Sequence, residues 1–86
     1  MTVTSVRIHL HNDGKLRGFA VVTIDDAWAI RNIRIIEGKD GLFVAMPCLK
    51  RPSGAHFDIV HPINAEAREE LETKVLDEYE RQMEGQ

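Results

Sequence analysis

Hydrophobic and polar residues alternate at the start of the chain in a pattern that predicts a β-hairpin. Within residues 3–10, every second position is apolar in the way of a strand with one buried face: Val6, Ile8 and Leu10. The dipeptide Asp13-Gly14 follows, and glycine accepts the positive φ that a tight turn needs. Residues 16–24 are rich in β-branched side chains and nearly free of charge, so we expect this return strand to lie centrally in the sheet.

A third strand is predicted over residues 27–36, after a turn at Asp25-Asp26. Its apolar positions change parity part-way along the strand: Trp28 and Ile30 before the change, Ile33 and Ile35 after it. A β-bulge produces a one-residue slip of this kind, and we place it near Arg31-Asn32.

Five apolar residues in a row, Leu42–Met46, stand between Gly41 and Pro47. A short apolar run between turn-forming residues is typical of a strand covered on both faces, so we predict a fourth strand in the core. Pro47 ends it, because proline cannot donate a ladder hydrogen bond. Residues 48–56 contain a proline and a glycine and show no periodicity, so we predict an exposed loop there, with residues 57–63 irregular or briefly extended.

The last part of the chain has the periodicity of an amphipathic helix. Asn64 is a good N-cap, and Glu66 lies in the first turn, where the helix dipole favours an anion. One apolar stripe repeats every four residues, with one further leucine beside it: Ala67, Leu71, Val75, Tyr79 and Met83, and Leu76.

These elements predict an α+β fold in a single domain over residues 1–86. The sheet is an antiparallel β-meander of four to five strands within about residues 3–60, and one C-terminal amphipathic helix spans about residues 65–83. A single helix can cover only one face of such a sheet. The other face, or an edge, is left to solvent or to a partner.

Composition indicates an ordinary cytoplasmic protein. The chain is 43% apolar and 29% charged, as in soluble globular domains, and no apolar run approaches the ~20 residues that span a bilayer. The single cysteine, Cys48, excludes an internal disulfide and fits a reducing compartment. We therefore expect a cytoplasmic protein that does not associate with the membrane. A chain of 86 residues also buries a modest fraction of its surface and often gains stability by pairing with a second copy.

Charge is divided unevenly along the chain, whose net charge is -3. From residue 65 onward eight acids outnumber three bases, which leaves this segment at -5. Residues 1–64 carry eight bases and six acids, so they sit at +2 and also hold all four histidines. The acidic helix has two explanations: a solvated surface rich in glutamate, or a docking face for a protein partner.

Two groups of side chains resemble metal-binding or reactive sites, and neither completes one. His9 and His11 share one side of a strand, but a zinc site needs three or four ligands, and no cysteine or carboxylate pair stands at a matching spacing. Cys48 has His56 close in sequence, but nucleophilic catalysis needs a base held in a formed pocket, and a small sheet with one helix offers little concavity. We predict no metal, no cofactor and no enzymatic activity.

The basic residues of the body are candidates for binding phosphates. Lys50 and Arg51 lie in the predicted loop, where cations can follow a phosphate backbone without a fixed geometry. Arg7 and Arg34 stand between strand residues that point inward, so we expect them on one exposed face. Arg68, in the first turn of the helix, could face the same loop.

Aromatic side chains are assigned mainly to the core. Four of them fall on apolar parities, where packing is the expected role: Phe19, Trp28, Phe43 and Tyr79. Phe57 lies beside the basic loop and is the one candidate for stacking on a base.

Three stretches of the chain carry a family resemblance: "VTSVRI" at the start, "IRNIRIIEGKDGLFVAMP" in the middle and "DIVHPIN" before the helix. They resemble the SpoVG family, the bacterial stage V sporulation protein G, and the resemblance runs from Val3 to Tyr79. Members of that family are small homodimers of similar sheet-plus-helix layout, regarded as site-specific DNA- and RNA-binding regulators first linked to septation during sporulation. The resemblance implies a nucleic-acid surface that includes Lys50, Arg51 and Arg68.

The chain departs from the family pattern in two places. Cys48-Leu49 intervene between the Met-Pro pair and the basic residues, and Phe57 stands where members commonly have a basic residue just before Asp-Ile.

Two functions stand as hypotheses. The first is a dimeric bacterial regulator that binds DNA and/or RNA, linked by family resemblance to sporulation, septation and gene-expression control. Its candidate surface residues are Lys50, Arg51, Arg68, Arg34 and Arg7. The alternative is a protein–protein interaction module in cell division or septum control, which would dock through the acidic helix without binding nucleic acid. We expect the dimer contact on the apolar third and fourth strands.

Overall fold

The computed structural model describes residues 2–85, and its main element is a four-stranded antiparallel sheet. The strands lie in the spatial order of the sequence: β1 (Val3–Asp13), β2 (Leu16–Ile24), β3 (Trp28–Gly38) and β4 (Gly41–Ala45). Two short strands, β5 (Cys48–Lys50) and β6 (His56–Asp58), form a separate antiparallel hairpin, and the helix α1 spans Ala65–Glu84. The predicted α+β meander with one C-terminal helix is confirmed.

The first hairpin and the central place of β2 agree with the prediction. Gly14, in the turn between β1 and β2, has a φ of +62°. β2 pairs with β1 along one side and with β3 along the other. Because both of its edges are paired and one face lies against the core, Ala20 and Val22 are completely buried.

The predicted bulge in β3 is present at Arg31-Asn32. These two residues lie opposite the single residue Val21 of β2. Asn32 has a φ of +62°, a left-handed conformation that asparagine adopts at lower cost than most residues. The extra residue restores the apolar parity, so that Ile30 before the bulge and Ile33 after it both pack on the core.

The core lies between one face of the sheet and α1. Its buried residues come from three strands and the helix: Val3, Ile8, Ala20, Val22, Ile24, Ile33, Ile35, Leu71, Val75 and Tyr79. The predicted N-cap is confirmed, because the Asn64 side chain accepts a hydrogen bond of 2.8 Å from the backbone N–H of Ala67. Within residues 2–85, no helix combines the length and apolarity needed to cross a membrane.

The prediction that β4 is covered on both faces is wrong. β4 is the last strand of the sheet, and its Leu42 and Val44 are half-buried against the core. Phe43 points to the opposite face and is 45% exposed. A continuous apolar run does not distinguish a strand sandwiched between two layers from an edge strand whose outer face is also apolar.

The segment predicted as a loop between residues 48 and 56 is exposed but ordered. It contains β5, a turn, and the start of β6. Each of these strands has three residues. That length is shorter than the four to eight residues over which alternation becomes visible in a sequence, so the pattern gave no signal.

The core assignment of the aromatic residues is right for Tyr79 and wrong for the other three. Tyr79 is buried under the sheet, whereas Trp28 at the start of β3 is 73% exposed and Phe43 lies on the uncovered face. Phe19 is half-buried on that same face. Parity identifies side chains that share a sheet face, but it does not say which face the helix covers.

Polar contacts tie the middle of α1 to the first residue of β1. The Glu70 carboxylate accepts a hydrogen bond of 3.0 Å from the backbone N–H of Val3. Lys74 Nζ donates to the Val3 carbonyl at 2.8 Å and to Glu70 at 3.3 Å. The Val3 N–H, and then the Lys74 ammonium, hold the pKa of the Glu70 carboxyl below its ordinary value, because both favour the charged form.

Substitutions at Asn32 should reveal the cost of the bulge. Asn32→Gly should preserve stability, since glycine adopts positive φ readily. Asn32→Val should lower the free energy of unfolding by about 1–2 kcal/mol, the cost of a left-handed residue. Urea unfolding measures both, and Ala29→Val on the same strand, at an exposed position, is the control. Equal stability of the Gly and Val variants would contradict the left-handed bulge.

Removal of the Glu70 charge should change how stability depends on pH. A carboxyl whose pKa is lower in the folded chain contributes stability above its unfolded pKa, and this contribution is lost as the pH falls through the folded pKa. Glu70→Gln should therefore melt at a lower temperature than the parent at neutral pH, and the difference should narrow on acidification. Thermal melts from pH 7 to pH 3 measure it, with Glu69→Gln on the exposed side of α1 as the control. A difference that stays constant with pH would refute the contribution of the charge.

Candidate nucleic-acid interface

The basic pair of the sequence lies on the β5–β6 hairpin. Its turn is closed by the backbone N–H of Arg51, which donates to the Ala55 carbonyl at 2.7 Å, and by that of Gly54, which donates to the Arg51 carbonyl at 2.8 Å. Gly54 has a φ of +93°, so the turn needs glycine at this position. The base of the hairpin is held by the Ile59 N–H, which donates to the Pro47 carbonyl at 2.8 Å. Lys50 and Arg51 are therefore presented from a defined backbone.

The hairpin has two faces of different character. Because side chains alternate along paired strands, one face is polar and the other largely apolar. The polar face carries Cys48, Lys50, His56 and Asp58, which are paired as Cys48 with Asp58 and Lys50 with His56. The second face carries Leu49 and Phe57, which are directly opposite one another. The Arg51 guanidinium lies over the Phe57 ring, 4.5 Å from its centroid, so one side of that ring is already occupied.

Arg34 connects the sheet to the polar face of the hairpin. It lies on β3 between two buried isoleucines and is half-buried. Its guanidinium donates to the Met46 carbonyl at 3.4 Å and approaches Cys48 Sγ at 3.6 Å. The polar face of the hairpin therefore lies on the same side of the molecule as the sheet face opposite α1.

We call the sheet face opposite α1 the open face. Strand pairing places four side chains in one row across it: His9, Phe19, Arg34 and Ala45. Arg7, exposed on β1, lies beside Val21 in the next row. From the spacing of strands and residues, Arg7 and Arg34 are on the order of 12 Å apart.

The open face has no acidic side chain among the central strand positions that the structure describes. Those positions are Ser5, Arg7, His9, Phe19, Val21, Thr23, Arg34, Ile36, Phe43 and Ala45. The acids of α1 lie on the other side of the sheet, because the helix packs on the opposite face. Charge is therefore separated across the thickness of the molecule as well as along its sequence.

The five predicted cations do not share one surface. Arg7, Arg34 and Lys50 lie toward the open face, whereas Arg51 is on the second face of the hairpin. Arg68 is exposed near the start of α1 and lines a shallow groove with acidic neighbours on the helix, Glu69 and Glu72.

Cys48 and His56 are the remaining reactive pair, and they meet on the hairpin. Cys48 Sγ lies 3.8 Å from His56 Nδ1, and the thiol is half-buried. Within residues 2–85, no three side chains of His, Cys, Asp or Glu come together as a metal site would require. The pair therefore offers no closed set of ligands.

Comparison with known proteins agrees with the family resemblance. The SpoVG family model matches residues 1–81. The chain belongs to the SpoVG family. The resemblance inferred from three short stretches is confirmed over almost the whole length.

Three curated relatives match the chain along most of their own length, and each carries the name "Putative septation protein SpoVG". The protein of Clostridium beijerinckii is 46% identical over 82 residues, which cover 94% of this chain and 90% of the relative. That of Anaeromyxobacter sp. is 41% identical over 83 residues, covering 96% and 86%. That of Acholeplasma laidlawii is 40% identical over 87 residues, covering 100% and 93%.

Sequence reasoning missed the ring-bearing residues of the open face in this SpoVG-family chain. His9 was considered only as a metal ligand, and Phe19 and Phe43 were assigned to the core. The signal was present in part, because the alternation of β1 and β2 gives Phe19 the same face as Arg7. His11 also belongs here, since its ring meets the Phe19 ring edge-on at 5.7 Å.

Proposed function

We propose that this chain is a dimeric regulatory protein that binds DNA and/or RNA without catalysis and acts in the control of septation or sporulation. The observation that carries the proposal is the separation of charge across the sheet: among the residues that the structure describes, the central positions of the open face hold cations and no acid, and α1 behind it holds acids. Family membership and the names of the relatives support the link to septation.

Charge separation orients an approaching polyanion. Phosphates are attracted to the side that carries Arg7, Arg34 and Lys50, and the -5 helix segment on the other side repels them. A chain of net charge -3 can therefore present a locally positive surface. Because such binding rests on phosphate contacts, its affinity falls as the salt concentration rises, and the fall is steeper the more phosphates are neutralised.

The hairpin adds one exposed cation, Lys50, to this surface and presents a second, Arg51, on its other face. Lys50 is exposed on the polar face, which Arg34 holds toward the sheet. Arg51 is packed on Phe57, and this contact restricts the guanidinium, while the residue as a whole stays exposed. An ordered hairpin loses less conformational entropy on binding than a loop of the same composition.

Exposed apolar side chains at one end of the molecule support association of two copies. Trp28, Ile59 and Ile63 are exposed there, and we call them the apolar end. Val60 joins them, since it lines the groove beside Trp28 and also the cleft at the start of α1. Exposed apolar side chains grouped in this way are typical of protein–protein contacts. Dimerisation would double the number of cations offered to one nucleic acid.

Replacing Lys50 and Arg51 together by alanine should weaken binding to DNA and RNA of any sequence. The slope of log K against log salt is negative. For every phosphate that is no longer neutralised, its magnitude should decrease by about 0.7–0.9. Fluorescence anisotropy with mixed DNA and RNA pools at several salt concentrations measures both effects. Lys15→Ala/Lys39→Ala removes the same charge from the turns at the far end of the sheet and is the matched control.

An unchanged salt slope in the Lys50/Arg51 variant would mean that these two residues do not contact phosphates and that the binding site lies elsewhere. An equal reduction in the control would attribute the effect to net charge. If the parent binds neither DNA nor RNA at low salt, the proposal fails, and a protein partner docking on the exposed acids of α1 becomes the better hypothesis.

Trp28→Arg should convert the dimer to a monomer at micromolar concentrations, because a charge at the apolar end would have to be buried without a partner. Sedimentation velocity measures the change. Met83→Arg is the control, since Met83 is 47% exposed and lies about 27 Å from the start of α1 along the helix axis. A Trp28→Arg variant that still sediments as a dimer would place the contact elsewhere, with the β4 edge next to be tested.

A further inference from the structure

Two phenylalanine rings lie among the cations of the open face. Phe19 is half-buried on β2, with His9 on one side of it and Arg34 on the other. Phe43 lies on β4, paired with Ile36, and is 45% exposed. Neither ring contributes to the core beneath the sheet.

The position of the Phe43 ring is fixed by the backbone beside it. A Cβ on Gly38 would come within 2.9 Å of a Phe43 ring carbon, so the ring rests against the bare backbone of Gly38. That glycine has an ordinary φ, and its lack of a side chain is what admits the ring. Phe43 is therefore held in place and still exposed to solvent on its outer side.

Arg34 lies between the two rings. Phe19 and Phe43 are separated by two strands and two residues along the strand, which corresponds to roughly 12 Å. In sheets that bind single-stranded nucleic acid, aromatic side chains at such positions stack two or three bases, and cations between them contact the phosphates. A duplex keeps its base faces stacked inside, so it can use the cations of this face but not the rings.

We infer that the open face binds single-stranded nucleic acid, with bases stacked on Phe19 and Phe43 and phosphates facing Arg7, Arg34 and Lys50. This inference rests on the proposed function and specifies the form of nucleic acid that the site takes.

Charge complementarity favours a nucleic acid over a second copy of the chain on this face. Two copies related by a two-fold axis would bring like surfaces together. Arg7 and Arg34 of one copy would then meet the same cations of the other, and the central positions of this face hold no acid among the described residues to pair with them. A polyanion meets no such repulsion.

The test compares one labelled single strand with the duplex of the same sequence, bound by the parent, by Phe43→Ala and by Phe19→Leu. Removal of one stacked base should weaken single-strand binding by about 5- to 150-fold in Phe43→Ala and leave duplex binding within about 2-fold. Phe19→Leu should act in the same direction. Met83→Ala, at a similarly exposed apolar position on α1, should bind both forms like the parent.

A second measurement distinguishes the loss of a stacking contact from a substitution that only destabilises the edge strand. Photocrosslinking of the parent to a single strand containing 5-iodouracil, followed by mass spectrometry, should attach the base to the peptides that contain Phe43 or Phe19. Adducts confined to the hairpin or to α1 would overturn the inference even if the variants bind weakly.

The outcomes separate this inference from the proposed function. Duplex binding that depends on Lys50 and Arg51, without any effect of the two rings, would leave the proposed function standing and overturn the stacking site. Absence of binding to both forms would overturn both. A change from dimer to monomer in Phe43→Ala would identify the open face as a contact between copies and would also overturn the inference.

Discussion

The packing of α1 against one face of the four-stranded sheet is the contact on which the other features depend. Leu71, Val75 and Tyr79 on the helix are buried against strand residues such as Ile33 and Ile35. Residues 2–85 contain one long helix, and it packs on one side of the sheet. The helix therefore leaves the opposite face uncovered, and this face is where Arg7, His9 and Arg34 lie, beside apolar side chains.

The packing of α1 on the sheet also places acidic and basic side chains on opposite sides of the molecule. Amphipathic helices keep their polar residues on the side away from the core, so the glutamates of α1 end up behind the sheet. Some of them also hold the fold together, as Glu70 does through the N–H of Val3. The open face is left with cations, histidines and rings. A protein of net charge -3 can therefore present a basic surface to a ligand that approaches the open face.

The hairpin after β4 extends this surface beyond the sheet. Pro47 stops β4 from continuing, and the chain turns back through β5 and β6 before the helix begins. Arg34 contacts the start of β5, and this contact places the polar face of the hairpin on the side of the open face. The apolar fourth strand forms the edge of the sheet, and the basic pair that follows it in the sequence lies on the hairpin next to that edge.

Local chemistry along the chain determined the elements. The turn glycines, the N-cap Asn64, the helix stripe and the bulge at Arg31-Asn32 are each encoded by neighbouring residues, and each could be predicted. Short β5 and β6 left too little pattern to be seen. The cations of the site could be named one by one because charge is a property of the residue.

Tertiary structure decided which of those residues lie together. A strand pattern gives two faces without saying which one the helix will cover, so Phe19, Trp28 and Phe43 were wrongly assigned to the core. The same long-range contact separates Arg68, near the start of α1, from Arg7 and Arg34 on the open face. The sequence by itself determined the strands, the helix and the charge of each segment, because these depend on near neighbours. Which face stays open was decided only by the packing of residues far apart in the chain.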